Sequence, residues 1–171
     1  MGDFLQSAAG LGAELERMGA GDESFDRTVY RLLSQLLEHN PRFSWIGVYE
    51  ARFDGSLHLG PFAGKPTDHV FVPAGRGICG QVMGAQQTLY VPDVRGFDGY
   101  LAGIAETRSE LVVPVMNPEQ VFGVLDLQST EVDAFEGPVR AQLEEVAQWL
   151  ADRFESRDLE PLDRCPRLLS A

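Results

Sequence analysis

The stretch from residue 110 to residue 131 reads ELVVPVMNPEQVFGVLDLQSTE. Two runs rich in β-branched residues flank the turn sequence Met-Asn-Pro-Glu, a pattern that predicts a β-hairpin. The second run, residues 121–127, is apolar on both faces, which is typical of a central strand covered on both sides. The hairpin therefore predicts the middle of a sheet with packed layers on both of its faces.

A carboxylate interrupts the second apolar run. Strand alternation places Asp126 on one face, together with Phe122, Val124 and Gln128. A buried carboxylate is costly unless a donor pairs with it, so either the fold supplies a donor or this face lines a pocket whose ligand does. Glu110, at the start of the first strand, is the natural second acid. We interpret the two acids as the functional centre. The alternatives are a capping or surface role for Glu110 and a structural, hydrogen-bonded role for Asp126.

The length and charge of the chain restrict the classes of function. Its 171 residues suffice for one domain, which would bury on the order of 70% of its unfolded surface. The formal net charge of −12 argues against nucleic acid or anionic membrane as a partner, because both require a basic face. No apolar stretch approaches the roughly 18 residues of a membrane span, and no signal-peptide pattern is visible. We therefore expect a cytoplasmic protein.

The cysteines and histidines show no ligand spacing. Cys79 and Cys165 are too few for a disulfide framework and form no Cys-x-x-Cys motif. His39, His58 and His69 are scattered along the chain. From these spacings we expect no metal site and no cofactor.

Helical periodicity predicts helices over residues 3–18, 23–39 and 137–157. The second and the last helix each carry one clear apolar stripe. A polar, proline-broken tail follows at residues 158–171, so that residues 1–157 form the only predicted domain. We expect the two later helices to use their stripes against the sheet and the first helix to pair between chains in a homodimer.

The strands fall between the second and the last helix, within residues 43–130. A glycine-rich turn at residues 75–80 leads into a short helix through Met83; two glycines around an arginine are a weak match to a phosphate loop, and a structural turn is the simpler interpretation. Residues 93–107 form a long loop, of the kind that often covers a binding site. The order of elements predicts an α+β sandwich, in which one antiparallel sheet has the terminal helices on one face and a loop-covered ligand pocket on the other.

Six short strings occur in order along the sheet region, namely WIGVY at 45–49, LGPFAGK at 59–65, GRGICG at 75–80, VPDV at 91–94, SELVVP at 109–114 and GVLD at 123–126. In these strings and in its architecture the chain resembles the free methionine-(R)-sulfoxide reductases, which are stand-alone GAF-domain enzymes. The match runs in register from about residue 43 to residue 130.

The resemblance implies a pocket that encloses free methionine sulfoxide under a loop, with three acidic residues that hold it. In that family a loop cysteine attacks the sulfoxide sulfur, a second cysteine forms a disulfide with the first, and thioredoxin reduces the disulfide. Glu110 and Asp126 match two of the three acids, and the third acid falls on Gln128. The loop cysteine falls on Gly103.

The cysteines of the family are largely missing from this chain. The resolving cysteine falls near Asp68 or His69, and only a third family cysteine is kept, as Cys79. The reaction needs a thiolate that becomes a sulfenic acid and then a disulfide, which glycine cannot supply. Cys79 could replace it only if it faces the pocket with a lowered pKa, for which Arg76 is the evident helper. A buried, inert Cys79 is the simpler interpretation, and Cys165 in the tail is a poor resolving partner.

Three hypotheses follow. The first is a non-catalytic GAF domain that binds a small polar or zwitterionic ligand, whose ammonium group lies between Glu110 and Asp126 and whose walls include Trp45 and Tyr49. The second is an active reductase that uses Cys79 and depends on thioredoxin. The third is a dimerisation module with a relic pocket.

Overall fold

A computed structural model describes residues 8–20, 24–157 and 165–166. The helices are α1 (Ala8–Gly19), α2 (Phe25–His39), α3 (Gly77–Ala85) and α4 (Val139–Glu155), with a short 3-10 helix at Val94–Gly96. The strands are β1 (Trp45–Ala51), β2 (Leu57–Gly64), β3 (Phe71–Val72), β4 (Leu89–Val91), β5 (Ser109–Met116), β6 (Gln120–Ser129) and β7 (Cys165–Pro166).

The strands form one antiparallel sheet in the order β3-β2-β1-β6-β5-β4. The hairpin of β5 and β6 is confirmed, and β6 lies between β1 and β5, as its apolar pattern predicts. The short strand β7 comes from the predicted tail and pairs with the first two residues of β6. The sheet therefore places β6 and its carboxylate at the centre of the domain.

Two cores lie on opposite faces of the sheet. Helices α1, α2 and α4 cover one face, and the stripes predicted for α2 and α4 are buried there. This core includes Leu11, Leu32, Leu36, Leu125, Leu127, Leu143, Leu150 and Phe154. Helix α3 and the loops cover the other face, whose core includes Trp45, Tyr49, Ile78, Val82, Val112 and Val124. The predicted α+β fold, with its helices and loops on opposite faces of the sheet, is thereby confirmed.

The apolar side chains of α1 are used within the chain. Leu11, Leu15 and Met18 are buried in the core beneath the helices. The indole of Trp149 in α4 donates a hydrogen bond of 3.1 Å to the carbonyl oxygen of Leu15. The homodimer stays a prediction, and the buried residues Leu11, Leu15 and Met18 do not supply its surface.

Some boundaries differ from those predicted. Helix α4 begins at Val139 rather than at residue 137, because Gly137 has a φ of +73°, which no right-handed helix accepts. The predicted starts of the first two helices, residues 3–7 and 23, lie outside the described residues, as do residues 158–164 and 167–171 of the tail. Within the described ranges, no helix is both long enough and apolar enough to cross a membrane.

A bulge near the start of β6 changes the side-chain pattern. In the pairing with β5, Gly123 is opposite Val115 and Val121 is opposite Met116, so Phe122 is the extra residue. Phe122 consequently packs under the helices, with its ring stacked 5.7 Å from that of Phe154. The prediction that Phe122 shares a face with Asp126 was wrong, since simple alternation cannot anticipate a bulge.

We expect Gly123→Ala to destabilise the fold strongly. A Cβ on Gly123 would lie 1.9 Å from the carbonyl oxygen of Tyr49, and this oxygen belongs to a central strand that cannot move away. A loss of about 3 kcal/mol or more in the free energy of unfolding follows from such overpacking, measured by urea denaturation. Gly84→Ala is the matched control, because nothing lies within 4 Å of a Cβ there. It should be neutral or stabilising by up to about 1 kcal/mol. Equal effects of the two changes would contradict the bulge geometry.

Candidate functional site

The sheet brings the two predicted acids together. Glu110 on β5 is directly opposite Gln128 on β6, and Asp126 lies two residues earlier on β6, opposite Val112. Glu110 and Asp126 are therefore diagonal neighbours on one face, a spacing that side chains can bridge. Both are buried, with 4% and 2% of their surface exposed.

Helix α3 adds a thiol to this pair. Gly75 and Gly77 both have positive φ, of 70° and 63°, and form the turn that opens the helix. This geometry agrees with the structural interpretation of the glycine-rich stretch. Cys79, the third residue of α3, is buried over the sheet. Sγ of Cys79 and one carboxylate oxygen each of Glu110 and Asp126 lie within 4.8 Å of one another.

A short chain of hydrogen bonds orients one of the acids. The hydroxyl of Thr107 donates to Oε1 of Gln128 over 2.7 Å. The amide Nε2 of Gln128 then donates to Oδ2 of Asp126 over 3.0 Å. This uses one carboxylate oxygen of Asp126 and leaves the other for the cavity.

Three polar atoms at the site are buried and have no hydrogen-bond partner among the described residues. They are Oδ1 of Asp126, Oε2 of Glu110 and the hydroxyl oxygen of Tyr100. A buried polar group without a partner costs roughly 1–3 kcal/mol, and more when it is charged. Such groups at one place indicate a site that a ligand completes.

The electrostatics of the cluster favour protonated groups. Burial raises the pKa of Asp126 to about 7, although the hydrogen bond from Gln128 opposes the shift. Burial, and then the charge of Asp126, raise the pKa of Glu110 well above its usual value. Burial also raises the pKa of the Cys79 thiol, and the two carboxylates raise it further. The two acids and the thiol therefore all favour their neutral forms.

Two loops cover the cluster and are joined to each other. The hydroxyl of Thr67 donates to the carbonyl oxygen of Gly103 over 3.0 Å. The hydroxyl of Tyr49 on β1 donates to the carbonyl oxygen of His69 over 2.9 Å. At the surface, Lys65 and Glu106 form an exposed ion pair at 2.8 Å. These contacts hold the cover over the acids.

The cavity at this site has a volume of about 20 Å³. It is lined by Tyr49, His69, Val72, Arg76, Gly77, Ile78, Cys79, Leu101, Gly103, Glu110, Asp126 and Gln128. Eight of the residues named from the sequence are in this lining, namely Tyr49, His69, Arg76, Cys79, Gly103, Glu110, Asp126 and Gln128. Trp45 is not; it stacks on Phe62 at 5.8 Å, and its indole donates to the carbonyl oxygen of Lys65.

Some residues of the site carried no recognisable sequence signal. Thr67 and Thr107 act through single hydrogen bonds that depend on the tertiary fold. Tyr100 lies in residues 93–107, and the length of this loop predicts a binding loop without indicating which of its residues contact the ligand. That expectation could have included the tyrosine, because a polar aromatic residue in such a loop is a common ligand contact.

Gly103 and His69 face each other across the cover. A Cβ added to Gly103 would lie 3.7 Å from the Cβ of His69 and 3.1 Å from the hydroxyl oxygen of Thr67. Disulfide-bonded cysteines have Cβ atoms roughly 3.5–4.5 Å apart. The cover therefore has the geometry of a disulfide at a place where the chain has none.

The comparisons with known proteins agree with this architecture. The GAF domain family matches residues 22–155. The free methionine-R-sulfoxide reductase of Escherichia coli (strain K12) is 37% identical over 127 residues, which are 74% of this chain and 76% of that protein. Protein YtsP of Bacillus subtilis (strain 168) is 36% identical over 143 residues, 82% of each chain.

Solved structures match over most of the fold. The structure of free methionine-R-sulfoxide reductase from Neisseria meningitidis in complex with its substrate superposes with a TM-score of 0.78 at 28% identity. The superposition covers 90% of this chain and 89% of the Neisseria meningitidis chain.

We expect Asp126→Asn to gain stability relative to wild type as the pH rises. An acid whose pKa is raised by folding binds its proton more tightly in the folded state, so stability falls as the pH rises from its unfolded pKa to its folded pKa. For Asp126 this window runs from about 4 to about 7. The unfolding free energy of the variant minus that of wild type should therefore increase by about 2–3 kcal/mol between pH 5 and pH 8.

Urea denaturation at the two pH values measures this difference, with the exposed Asp98→Asn as control for the loss of one carboxylate. If the unfolding free energy of the variant instead falls relative to wild type at pH 8, donors within the fold stabilise the Asp126 carboxylate.

The double variant His69→Cys/Gly103→Cys should form a disulfide on mild oxidation, because the two Cβ positions lie within disulfide range. Thiol titration of the denatured protein should then detect only the two natural cysteines. The single variant His69→Cys is the control and should keep its additional thiol. Four free thiols in the oxidised double variant would contradict the geometry of the cover.

Proposed function

We propose a binding function for this chain, which belongs to the GAF-domain family and, within it, to the family of the free methionine-R-sulfoxide reductases. Its ligand is a small zwitterionic molecule of the methionine sulfoxide type. The ammonium group of this ligand lies between Glu110 and Asp126, and the ligand leaves the site unreduced.

The unpartnered oxygen atoms of Glu110 and Asp126 are the observation that carries this proposal. An ammonium group has three N–H donors and a positive charge. The donors supply the missing hydrogen bonds, and the charge offsets the repulsion between the two carboxylates. Methionine sulfoxide is the natural first candidate, because homologues act on it and the related Neisseria meningitidis enzyme has been solved with its substrate.

Ligand entry requires the cover to move. A cavity of about 20 Å³ has room for little more than a water-sized occupant. One of the contacts that close it is the exposed ion pair of Lys65 and Glu106, a kind of pair that is worth at most about 1 kcal/mol. Opening must also move Leu101 and Ile104, which pack in the core on this face of the sheet.

Two observations support binding without reduction. Gly103 stands where the resemblance places the attacking cysteine, and His69 stands opposite it rather than a resolving cysteine. Cys79 lines the cavity, but burial and the two acids raise the pKa of its thiol, which opposes formation of the thiolate nucleophile.

The proposal predicts that ligand affinity depends on the charge of Asp126. Methionine sulfoxide should bind wild type, and Asp126→Asn should weaken binding at least tenfold. Since a carboxylic acid does not attract an ammonium group, affinity should fall as the pH drops below the Asp126 pKa of about 7. The decrease should reach up to about 100-fold at pH 5.

Calorimetric titration between pH 5 and pH 8 measures the affinity, with exposed Glu119→Gln in the β5–β6 turn as matched control. Equal affinity of wild type and Asp126→Asn, or no dependence on pH, would contradict the proposed position of the ammonium group.

Thioredoxin-coupled assays should show no reduction of free methionine sulfoxide by wild type above background, because the site lacks a cysteine at position 103. Turnover that disappears in Cys79→Ser would instead establish the second hypothesis, a reductase that uses Cys79. Turnover that survives this change would place the catalytic thiol elsewhere.

A further inference from the structure

The cluster of Cys79, Glu110 and Asp126 also has the composition of a metal site. Three different donor groups, a thiol and two carboxyl groups, each supply an atom within 4.8 Å of the others. They come from α3, β5 and β6, so no short sequence spacing could reveal them. The expectation of no metal site was based on such spacings alone.

Two independent observations indicate that a cation fits between these groups. Glu110 and Asp126 both line the cavity, and each has one buried oxygen without a hydrogen-bond partner among the described residues. The cavity of about 20 Å³ is the size of a single water molecule or ion. A metal ion therefore fits the closed form of the site, whereas an amino acid does not.

We propose that the closed site binds one Zn²⁺ ion through Sγ of Cys79, one carboxylate oxygen of Glu110 and Oδ1 of Asp126. A fourth position is left for a water molecule, as in zinc sites with three protein ligands. Ligand atoms around tetrahedral zinc lie roughly 3.3–3.7 Å apart. Since the three donor atoms already lie within 4.8 Å of one another, zinc binding requires each pair of them to approach by at most about 1.5 Å.

The mixed donor set favours zinc over other common ions. A thiolate is a poor ligand for Mg²⁺ and Ca²⁺, which prefer oxygen, and two carboxylates are poor ligands for Cu⁺. Zn²⁺ is borderline-soft and accepts sulfur and oxygen together. Its charge also offsets the repulsion between the acids. On binding, the thiol and any protonated carboxyl group give their protons to the solvent.

The bond from Gln128 to Asp126 has a defined role in this site. By occupying Oδ2, the amide Nε2 of Gln128 fixes the carboxylate with Oδ1 facing the cavity. Thr107 in turn fixes the amide through Oε1. Ligating carboxylates in metal sites are commonly held by such outer hydrogen bonds.

Zinc binding does not depend on the proposed ligand function, and each can be tested without the other. Zn²⁺ and an ammonium group would use the same oxygen atoms of Glu110 and Asp126, so each should exclude the other. A protein that fails to bind one of the two could still bind the other.

Cobalt provides the direct test, because Co²⁺ substitutes for Zn²⁺ and shows a thiolate-to-metal charge-transfer absorption when sulfur is a ligand. The chelator-treated full chain is titrated with Co²⁺ and then with Zn²⁺. We expect one equivalent of Co²⁺ to produce the charge-transfer band and Zn²⁺ to remove it. Competition with a chromogenic chelator gives the Zn²⁺ affinity.

Matched cysteine variants locate the sulfur ligand. Cys79→Ser should remove the band and weaken Zn²⁺ binding at least tenfold, and Asp126→Asn should also weaken binding at least tenfold. Cys165→Ser should change neither measurement. Thermal melts verify that each variant is folded.

Two results would overturn the zinc site. One is a wild-type protein that gives no charge-transfer band and does not compete with the chelator. The other is a band that survives in Cys79→Ser and is lost in Cys165→Ser. Because the first result needs no variant, the test holds even if a substituted protein fails to fold.

Discussion

The repulsion between two carboxyl groups buried on adjacent strands is the constraint on which the site depends. Glu110 and Asp126 lie on the face of the sheet that α3 and the cover enclose, and each has an oxygen for which the described part of the chain provides no hydrogen-bond donor. Among the described residues, the amide of Gln128 donates a hydrogen bond to Oδ2 of Asp126, which leaves Oδ1 and the Glu110 oxygen Oε2 without a partner. An arrangement of this kind is unfavourable for the free protein unless protons or a cation neutralise it. Binding of a positively charged group is therefore the function that these acids are suited to.

The same constraint determines what Cys79 can do. Buried beside two carboxyl groups, the Cys79 thiol has a raised pKa and resists ionisation, which is the opposite of what a nucleophilic cysteine requires. A bound cation would reverse this by favouring the thiolate as a ligand. The positions that face each other in the cover, Gly103 and His69, have the spacing of a disulfide but carry neither of its sulfurs. The scaffold of the reductase family thus surrounds a site for which we propose charge-dependent binding.

Much of this site could be predicted from the sequence, because its signal is local. An acid within the apolar run 121–127 is unusual in any buried strand, and hairpin pairing brings Glu110 next to it. The side of Phe122 could not be predicted, since the bulge arises where the backbone of Tyr49 approaches Gly123. Sequence alternation can give the face of Trp45 but not its lateral position, so it cannot show that this side chain stacks on Phe62 and lies outside the cavity lining. The hydrogen bond from Thr107 to Gln128 depends on how the loop folds over the sheet, which no periodicity records.

The most direct test of the account is a carbon-13 NMR titration of the Asp126 and Glu110 carboxyl groups, with and without saturating methionine sulfoxide. In the free protein, Asp126 should titrate near pH 7 and Glu110 well above its usual range. Bound ligand should lower both pKa values, since its ammonium group favours the carboxylates. If both acids titrate near pH 4, the ordinary range of carboxyl groups, and the ligand changes neither pKa, the acids are not a cation-binding pair and the central claim is contradicted.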